Sequence, residues 1–295
     1  MLGFVGVGVM GEPMCRNLAQ KSGEQVCAFD LDDAPLERLG EVGVFAGESI
    51  ADIGQRSDVV FLSLPGRTAV QKVCIGGSGL LSSMRPGGCV VDLSTTSVSL
   101  AKDLSARFGA RGIQFCDAPV ARTRQAAQEG TLSVMVGGTE KAFNRIRPLL
   151  EHIATDITHC GPASAGQTMK IINNMVLFQN VVALAEALAL VRHSGIKPEL
   201  AFDVLSKGSA DSFALRNHGM NAMLSGKFPE RAYSTMYALK DVRYALELAR
   251  DAGVELSGAA NSRTLLKCAA EAGFSDEYFP VLAKVIAKAG HKKGH

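Results

Sequence analysis

Leu2-Gly3-Phe4-Val5-Gly6-Val7-Gly8-Val9-Met10-Gly11 joins two local grammars within ten residues. Leu2–Val5 is a short apolar run of the kind that forms a buried strand. It leads straight into G-x-G-x-x-G at Gly6, Gly8 and Gly11, and an amphipathic run, Glu12–Lys21, follows. In a strand–turn–helix setting the first glycine permits the tight turn. The second lets the backbone approach a pyrophosphate, and the third lets the helix pack close to the sheet. The free N–H groups and dipole at the helix N-terminus favour phosphate. Glycines alone mark many turns; the flanking strand and helix make this one a dinucleotide fingerprint.

Moving outward, Gln25–Phe29 reads as a second strand that ends at Asp30. That places a carboxylate about 20 residues beyond the glycines, where it accepts hydrogen bonds from the ribose hydroxyls of NAD. Asp32 and Asp33 add negative charge and no Arg follows Asp30, so NAD is expected over NADP. The competing reading of Asp30 is a solvated turn acid.

Further strands are expected at Val59–Leu64, Cys89–Leu93, Gln114–Cys116 and Leu132–Val136, with helices such as Ala34–Val42 and Ser99–Phe108 between them. Such alternation predicts a mostly parallel sheet covered on both faces. After about Gly161 the strand pattern stops. Helices are expected at Ala165–Gly195, Pro198–Leu205, Phe213–Leu224, Tyr237–Gly253, Asn261–Ala272 and Pro280–Lys288, with Gly195, Gly208, Gly226 and Gly273 at helix ends. The fold expected is an α/β Rossmann-like N-terminal domain, residues 1–162, and an all-α C-terminal domain, residues 163–295.

The 295 residues suffice for two domains with hydrophobic cores. A net charge of +2 gives no case for a nucleic-acid or membrane-surface partner. The basic tail, His291-Lys292-Lys293-Gly294-His295, is expected to be a solvated end. Seven cysteines without a C-x-x-C pair read as reduced thiols of a cytoplasmic protein. No signal peptide is read before Leu2. Met175–Val191 carries Gln179, Asn180 and Glu186 and reads as a buried helix rather than a membrane span. No His/Asp/Glu cluster has metal-ligand spacing, so no metal is expected.

Beyond the fingerprint, several segments resemble the β-hydroxyacid dehydrogenase family in order. These are Gly6–Met14, Leu64-Pro65, Asp92-Leu93-Ser94-Thr95 (D-x-S-T), Asp117-Ala118-Pro119-Val120, Gly130-Thr131-Leu132, Val136-Gly137-Gly138 and Lys240-Asp241. Gly166-Gln167-Thr168-Met169-Lys170-Ile171-Ile172-Asn173-Asn174 is similar to the family's catalytic G-x-x-x-K-x-x-N-N signature. The family includes 3-hydroxyisobutyrate dehydrogenase, tartronate semialdehyde reductase and sulfolactaldehyde reductase. The resemblance implies that Met10, Gly11, Asp30, Leu64, Pro65, Thr95 and Lys240 line the dinucleotide. It implies Lys170 as acid/base and Ser94, Asn173 and Asn174 as substrate-binding residues. It also implies two domains joined by a long helix, and association through the helical domains as a homodimer or homotetramer.

The residues themselves support this chemistry. Oxidising an alcohol requires a proton to leave oxygen as a hydride leaves carbon, so a base must stand at the hydroxyl. Lys170 sits in an apolar helix, where desolvation lowers an ammonium pKa towards working pH. At helical spacing Lys170, Asn173, Asn174 and Leu177 share a broad face. A lysine snorkelling to solvent beside backbone-capping asparagines is the plainer alternative.

One departure bears on substrate. Where many family members read Ser-Gly-Gly, this chain has Ala121-Arg122-Thr123. A planar, permanently charged guanidinium suits a carboxylate or sulfonate, and the Arg-Thr pair is similar to that of sulfolactaldehyde reductases. Arg122 is expected to face a small anionic substrate, with a surface Arg beside Arg124 as the alternative. Val98 and Ala69 are smaller departures. The reaction expected is interconversion of a small β-hydroxy acid and its aldehyde. Sulfolactaldehyde or tartronate semialdehyde reduction is the alternative within the class. An imine reductase is disfavoured by the presence of Lys170, and a non-catalytic dinucleotide-binding module is the alternative outside the class.

Overall fold

The structure is a computed structural model that describes residues 1–230 and 232–291, the side chains of 288–291 excepted. The basic tail from Lys292 onward lies outside these residues. Two compact units are present, Met1–Lys170 and Ile171–His295, and the chain passes between them within one long helix.

Short apolar runs make the strands of the first unit: β1 (Leu2–Val5), β2 (Val26–Phe29), β3 (Phe45–Ala46), β4 (Val59–Leu62), β5 (Cys89–Asp92), β6 (Gln114–Asp117), β7 (Val120–Ala121), β8 (Leu132–Gly137) and β9 (Ala154–Gly161). They form one sheet in the order β3-β2-β1-β4-β5-β6-β8-β7, with β9 paired to β8. From β3 to β6 all neighbours are parallel, while β8 runs antiparallel to β6 and β7. Every residue of β1, β4 and β5 is buried, as a parallel sheet covered on both faces requires. Helices α1 (Gly11–Lys21), α2 (Asp33–Gly40), α3 (Ile50–Arg56), α4 (Arg67–Ile75), α5 (Leu80–Ser83), α6 (Val98–Ala110), α7 (Arg124–Glu129) and α8 (Glu140–Leu150) accompany the strands. One apolar cluster gathers Phe4, Met14, Leu18, Phe61 and Val91; a second gathers Val60, Leu62, Val90, Leu104 and Phe108. Phe4 and Phe61, partners in the β1–β4 register, stack with centroids 6.1 Å apart.

Three strands were not foreseen from sequence. β3 and β7 have two residues each, below the length at which alternation shows. β9 is an edge strand of mixed polarity, A-T-D-I-T-H-C-G, with Thr155 and Asp156 exposed, so no apolar period announces it.

The second unit is helical. Its elements are α9 (Ala165–His193, whose first residues belong to the first unit), α10 (Pro198–Ser206), a π-helical segment Leu215–Leu224, α11 (Thr235–Ala252), α12 (Ser257–Ala269) and α13 (Leu282–His291). Its core holds Phe178, Val181, Leu188, Phe202, Leu239, Val242, Leu266 and Phe279. Among the described residues α9 alone is long and apolar enough to cross a membrane. Phe178, Val181, Val182, Leu184, Ala185 and Leu188 of α9 are instead buried against this helical core. Helix α11 starts at a Ser234 cap, whose side chain accepts from the Tyr237 N–H, and stops at left-handed Gly253, φ +67°.

Candidate active site

Parallel strands end at a common edge, so the residues that follow them gather there. Gly6 follows β1, Asp30 follows β2, Leu64 and Pro65 follow β4, and Ser94 and Thr95 follow β5. The strand order reverses direction at β1 and β4, the position at which an open α/β sheet leaves a crevice.

The three fingerprint glycines have different physical reasons. Gly6 has φ +91°, and a Cβ there would lie 2.4 Å from the Ser63 carbonyl oxygen. At Gly11 a Cβ would lie 1.9 Å from the Gly6 carbonyl oxygen, so α1 can start only with glycine. At exposed Gly8 a Cβ would meet nothing within 4 Å. The protein itself does not require Gly8; the space above it suits a group brought from outside. Asp30 Oδ2 accepts from Val7 N at 2.6 Å and Oδ1 from Asp32 N at 3.1 Å. A carboxylate retains lone pairs for further donors beyond these two. Leu31, beside it, is 92% exposed and carries no charge. An open glycine at a helix N-terminus with an acid beyond the second strand fits a dinucleotide.

Ser94 is only 4% exposed, and its Oγ accepts from Leu64 N at 2.9 Å. Its hydroxyl therefore ties the β4 loop to the β5 loop, a contact sequence reading did not foresee. Asp92 Oδ1 accepts from Ser94 N at 3.0 Å, tightening the same turn. The first turn of α9 fastens to this loop through fully buried Gln167. Its Nε2 donates to Ser94 O at 2.7 Å and its Oε1 accepts from Thr96 N at 3.0 Å. Lys170 follows one turn later on α9 and is half-buried. Met10, Leu64 and Thr95 are also half-buried and Pro65 is exposed, so these positions keep accessible surface.

Arg122 occupies the left-handed region at φ +87°, a conformation natural to the glycine of the Ser-Gly-Gly pattern. Its guanidinium is turned to β8 and β9. Nη1 donates to Thr131 O at 2.5 Å and to Thr155 Oγ1 at 2.9 Å, and Nη2 pairs with Asp156 Oδ2 at 2.6 Å. Thr155 and the Arg122 guanidinium hold the Asp156 carboxyl below its usual range.

In the helical unit Asn174 is 2% exposed and donates from Nδ2 to Asp241 Oδ2 at 2.8 Å and to Tyr233 OH at 3.2 Å. Tyr233 also donates to Asp241 Oδ2, and Lys240 Nζ pairs with Asp241 Oδ1 at 2.7 Å. Burial, reinforced by Asp241, holds the Tyr233 phenol well above its usual range, so it stays a donor. Asn173 Nδ2 donates to Asn174 Oδ1 at 3.1 Å. Lys240 also lies over the Tyr244 and Tyr237 rings, 5.1 and 5.7 Å from their centroids. The structure thus gathers Asn173, Asn174 and Lys240 around Asp241, which sequence reading quoted in the Lys240-Asp241 pair but gave no role. Gln167 and Asp117 were missed in the same way: both stand inside quoted motifs, and only tertiary contacts show what they hold.

Residues 1–161 match the NAD-binding domain of 6-phosphogluconate dehydrogenase, and residues 164–286 match the NAD-binding domain of NADP-dependent 3-hydroxyisobutyrate dehydrogenase. The chain is 35% identical over 284 residues to 2-(hydroxymethyl)glutarate dehydrogenase of Eubacterium barkeri, covering 96% of this chain and 94% of that one. It is 32% identical over 292 residues to 2-hydroxy-3-oxopropionate reductase of Escherichia coli K12, covering 99% of both. A solved structure of Mycobacterium tuberculosis 3-hydroxyisobutyrate dehydrogenase with L-serine superposes with a TM-score of 0.87 at 30% identity, covering 97% of this chain and 98% of that one.

Proposed function

This chain belongs to the β-hydroxyacid dehydrogenase family and is a nicotinamide-dependent oxidoreductase of CH–OH groups; within that family we propose that it interconverts a small β-hydroxy acid and its aldehyde with NAD. The observation that carries the proposal is Lys170, half-buried on the helix turn that Gln167 fastens to the Ser94–Thr96 loop. The loop follows β5 at the edge where the dinucleotide cradle lies.

When bound, the nicotinamide supplies the hydride acceptor or donor. Lys170 Nζ takes the hydroxyl proton in oxidation and returns it in reduction. Asn174, held by Asp241 and Tyr233, presents an amide whose orientation is fixed before substrate arrives. Gly8 would admit the pyrophosphate, Asp30 would accept from the adenosine ribose, and Met10, Leu64, Pro65, Thr95 and Lys240 are the further residues that would hold the cofactor. Asp30 opposes the extra phosphate of NADP, which makes NAD the preferred cofactor.

The substrate is a short hydroxy acid of the 3-hydroxyisobutyrate type. Reduction of tartronate semialdehyde or sulfolactaldehyde is the second reading, favoured by Arg122. In that reading the Arg122 guanidinium leaves Asp156 for the substrate's anion. Both partners are more than a third exposed, so water and salt already screen their pair. The enzyme works as a soluble, cytoplasmic homodimer or homotetramer. Met169, Ile172, Val176 and Leu190 of α9 are exposed, an apolar surface suited to a second copy. The test is Lys170→Ala. A loss of kcat of about 100-fold or more, with folding unchanged, is expected of a general acid/base; near-normal turnover would remove Lys170 from the mechanism.

A further inference from the structure

Asp117, the last residue of β6, is fully buried. Its carboxylate receives backbone N–H groups from the start of α9: Oδ1 accepts from Ser164 N at 2.6 Å and Oδ2 from Gln167 N at 2.8 Å. Both bonds go to donors that the helix itself leaves unpaired, and the helix dipole adds attraction for the charge. The fit is close on all sides. A Cβ on Gly137 would lie 2.5 Å from Asp117 Oδ1, and one on Gly166 would lie 2.5 Å from the Asp117 carbonyl oxygen. The helix end is pressed onto β6 and β8 with no space for adjustment.

We propose that Asp117 is a positioning residue for the reaction: its ionised carboxylate fixes the first turn of α9, and so sets Lys170 against the Ser94–Thr96 loop. The inference rests on the acid/base reading of Lys170. The path is short and complete. Asp117 holds the Gln167 backbone, the Gln167 side chain clamps Ser94 O and Thr96 N, and Lys170 follows on the same helix. A misplacement of the base by one ångström is enough to lower a rate about 100-fold.

Burial pushes the Asp117 carboxyl up to about 6, against the pull of the Gln167 and Ser164 N–H groups. The titratable groups facing it are Cys116 on its own strand, Asp92 as its register partner on β5, and Cys160 on β9. A hydrogen bond with Cys89, together with burial, holds the Cys116 thiol above its usual range, and burial does the same for Cys160, so both stay neutral in the range where Asp117 changes charge. Asp117 binds its proton more tightly with the helix start closed than with it opened to water, so opening of that turn grows harder as pH drops from about 6 towards 4.

The experiment pairs amide exchange of the apoprotein, followed by mass spectrometry over 163–170 and corrected for intrinsic rate, with steady-state kinetics. Asp117→Asn is expected to expose 163–170 to exchange and to lower kcat by about tenfold or more, with NAD affinity within about threefold. In the unmodified protein, protection of 163–170 is expected to rise as pH drops from about 6 towards 4 while the global fold persists. Lys170→Ala should show the same pH dependence of exchange, which separates Asp117 from titration of the base. If Lys170→Ala retains turnover, the acid/base reading fails, and this proposal with it, whatever the exchange shows. If Lys170→Ala is inactive but Asp117→Asn has normal kcat and normal protection, only the positioning role is overturned. Should Asp117→Asn fail to fold, the pH series on the unmodified protein decides: protection of 163–170 that does not rise as pH drops from about 6 towards 4 overturns the proposal.

Discussion

Replacing Asp241 with asparagine perturbs the polar cluster of the helical unit without changing its volume. Asp241 is 2% exposed, accepts from Asn174 and Tyr233, and forms an ion pair with Lys240. With the new amide oxygen at the Oδ2 position, the Asn174 and Tyr233 bonds survive as neutral ones, but an NH2 group then faces the Lys240 ammonium. In the opposite flip, the NH2 faces two donors. Exchanging two bonds to a charged acceptor for neutral ones costs about 1 kcal/mol each, and the lost lysine pair adds about as much, because Lys240 is still 24% exposed. The sum is about 3 kcal/mol, equivalent to a drop of roughly 6 to 12 °C in the melting temperature of this unit. Differential scanning calorimetry with steady-state kinetics on the same preparation is the assay, and kcat should fall as well because Asn174 is then held by weaker, neutral bonds. A shift under about 2 °C with unchanged kcat would refute the reasoning.

The glycines give a sharp contrast. Gly8→Ala meets no protein atom and should keep its melting temperature while NAD affinity falls by about tenfold or more, whereas Gly11→Ala collides with the Gly6 carbonyl and should lose both stability and binding; isothermal titration with NAD distinguishes them, and unchanged affinity in Gly8→Ala would put the pyrophosphate elsewhere. Asp30→Ala removes the acceptor for Val7 N and Asp32 N and should narrow the preference for NAD over NADP, read as the ratio of kcat/KM values, and an unchanged ratio would return Asp30 to a turn acid. The buried Asp117 carboxyl also sets a pH signature for stability. Its folded value of about 6 lies above the unfolded value, so the native state binds the extra proton, and this group's contribution falls as pH rises from about 4 to 6, by about 3 kcal/mol. Asp117→Asn should flatten that part of the urea-midpoint profile, and a profile of unchanged slope would contradict the assignment. Arg122→Gly relieves the positive φ but removes the guanidinium. A raised KM for the sulfonate with little change for a carboxylate would mark it as a sulfonate clamp, and no change in either would leave it a tie between the β7–α7 turn and β9.

Residues governed by local backbone rules were legible. Gly6, Gly8 and Gly11 are spaced by the turn they build, and Asp30 is placed by the length of one βαβ step. The parallel strands announced themselves because burial on both faces leaves only apolar residues, as in Val59–Leu62. β9 was not legible because its polar residues face out at a sheet edge and its pairing with β8 is a tertiary fact. That omission hid the surroundings of Arg122, since Thr155 and Asp156 both belong to β9. Ser94, Gln167, Asp117 and Asp241 stand in motifs that sequence quotes readily. What they hold depends on backbone groups brought from far along the chain, and no spacing encodes that. The π-helical geometry of Leu215–Leu224, where an ordinary helix is expected, changes the hydrogen-bond step and leaves the apolar pattern nearly unaltered.

The most direct test of the central claim is the appearance or loss of NADH absorbance with the purified protein, with NAD and NADP in parallel. The substrates are 3-hydroxyisobutyrate, glycerate, 4-hydroxybutyrate, L-serine and dihydroxypropanesulfonate, with their aldehydes where available. Turnover with NAD on at least one short hydroxy acid or its aldehyde, abolished by Lys170→Ala, is the result predicted. NAD binding without turnover on any of them would contradict the account and leave a dinucleotide-binding module in its place.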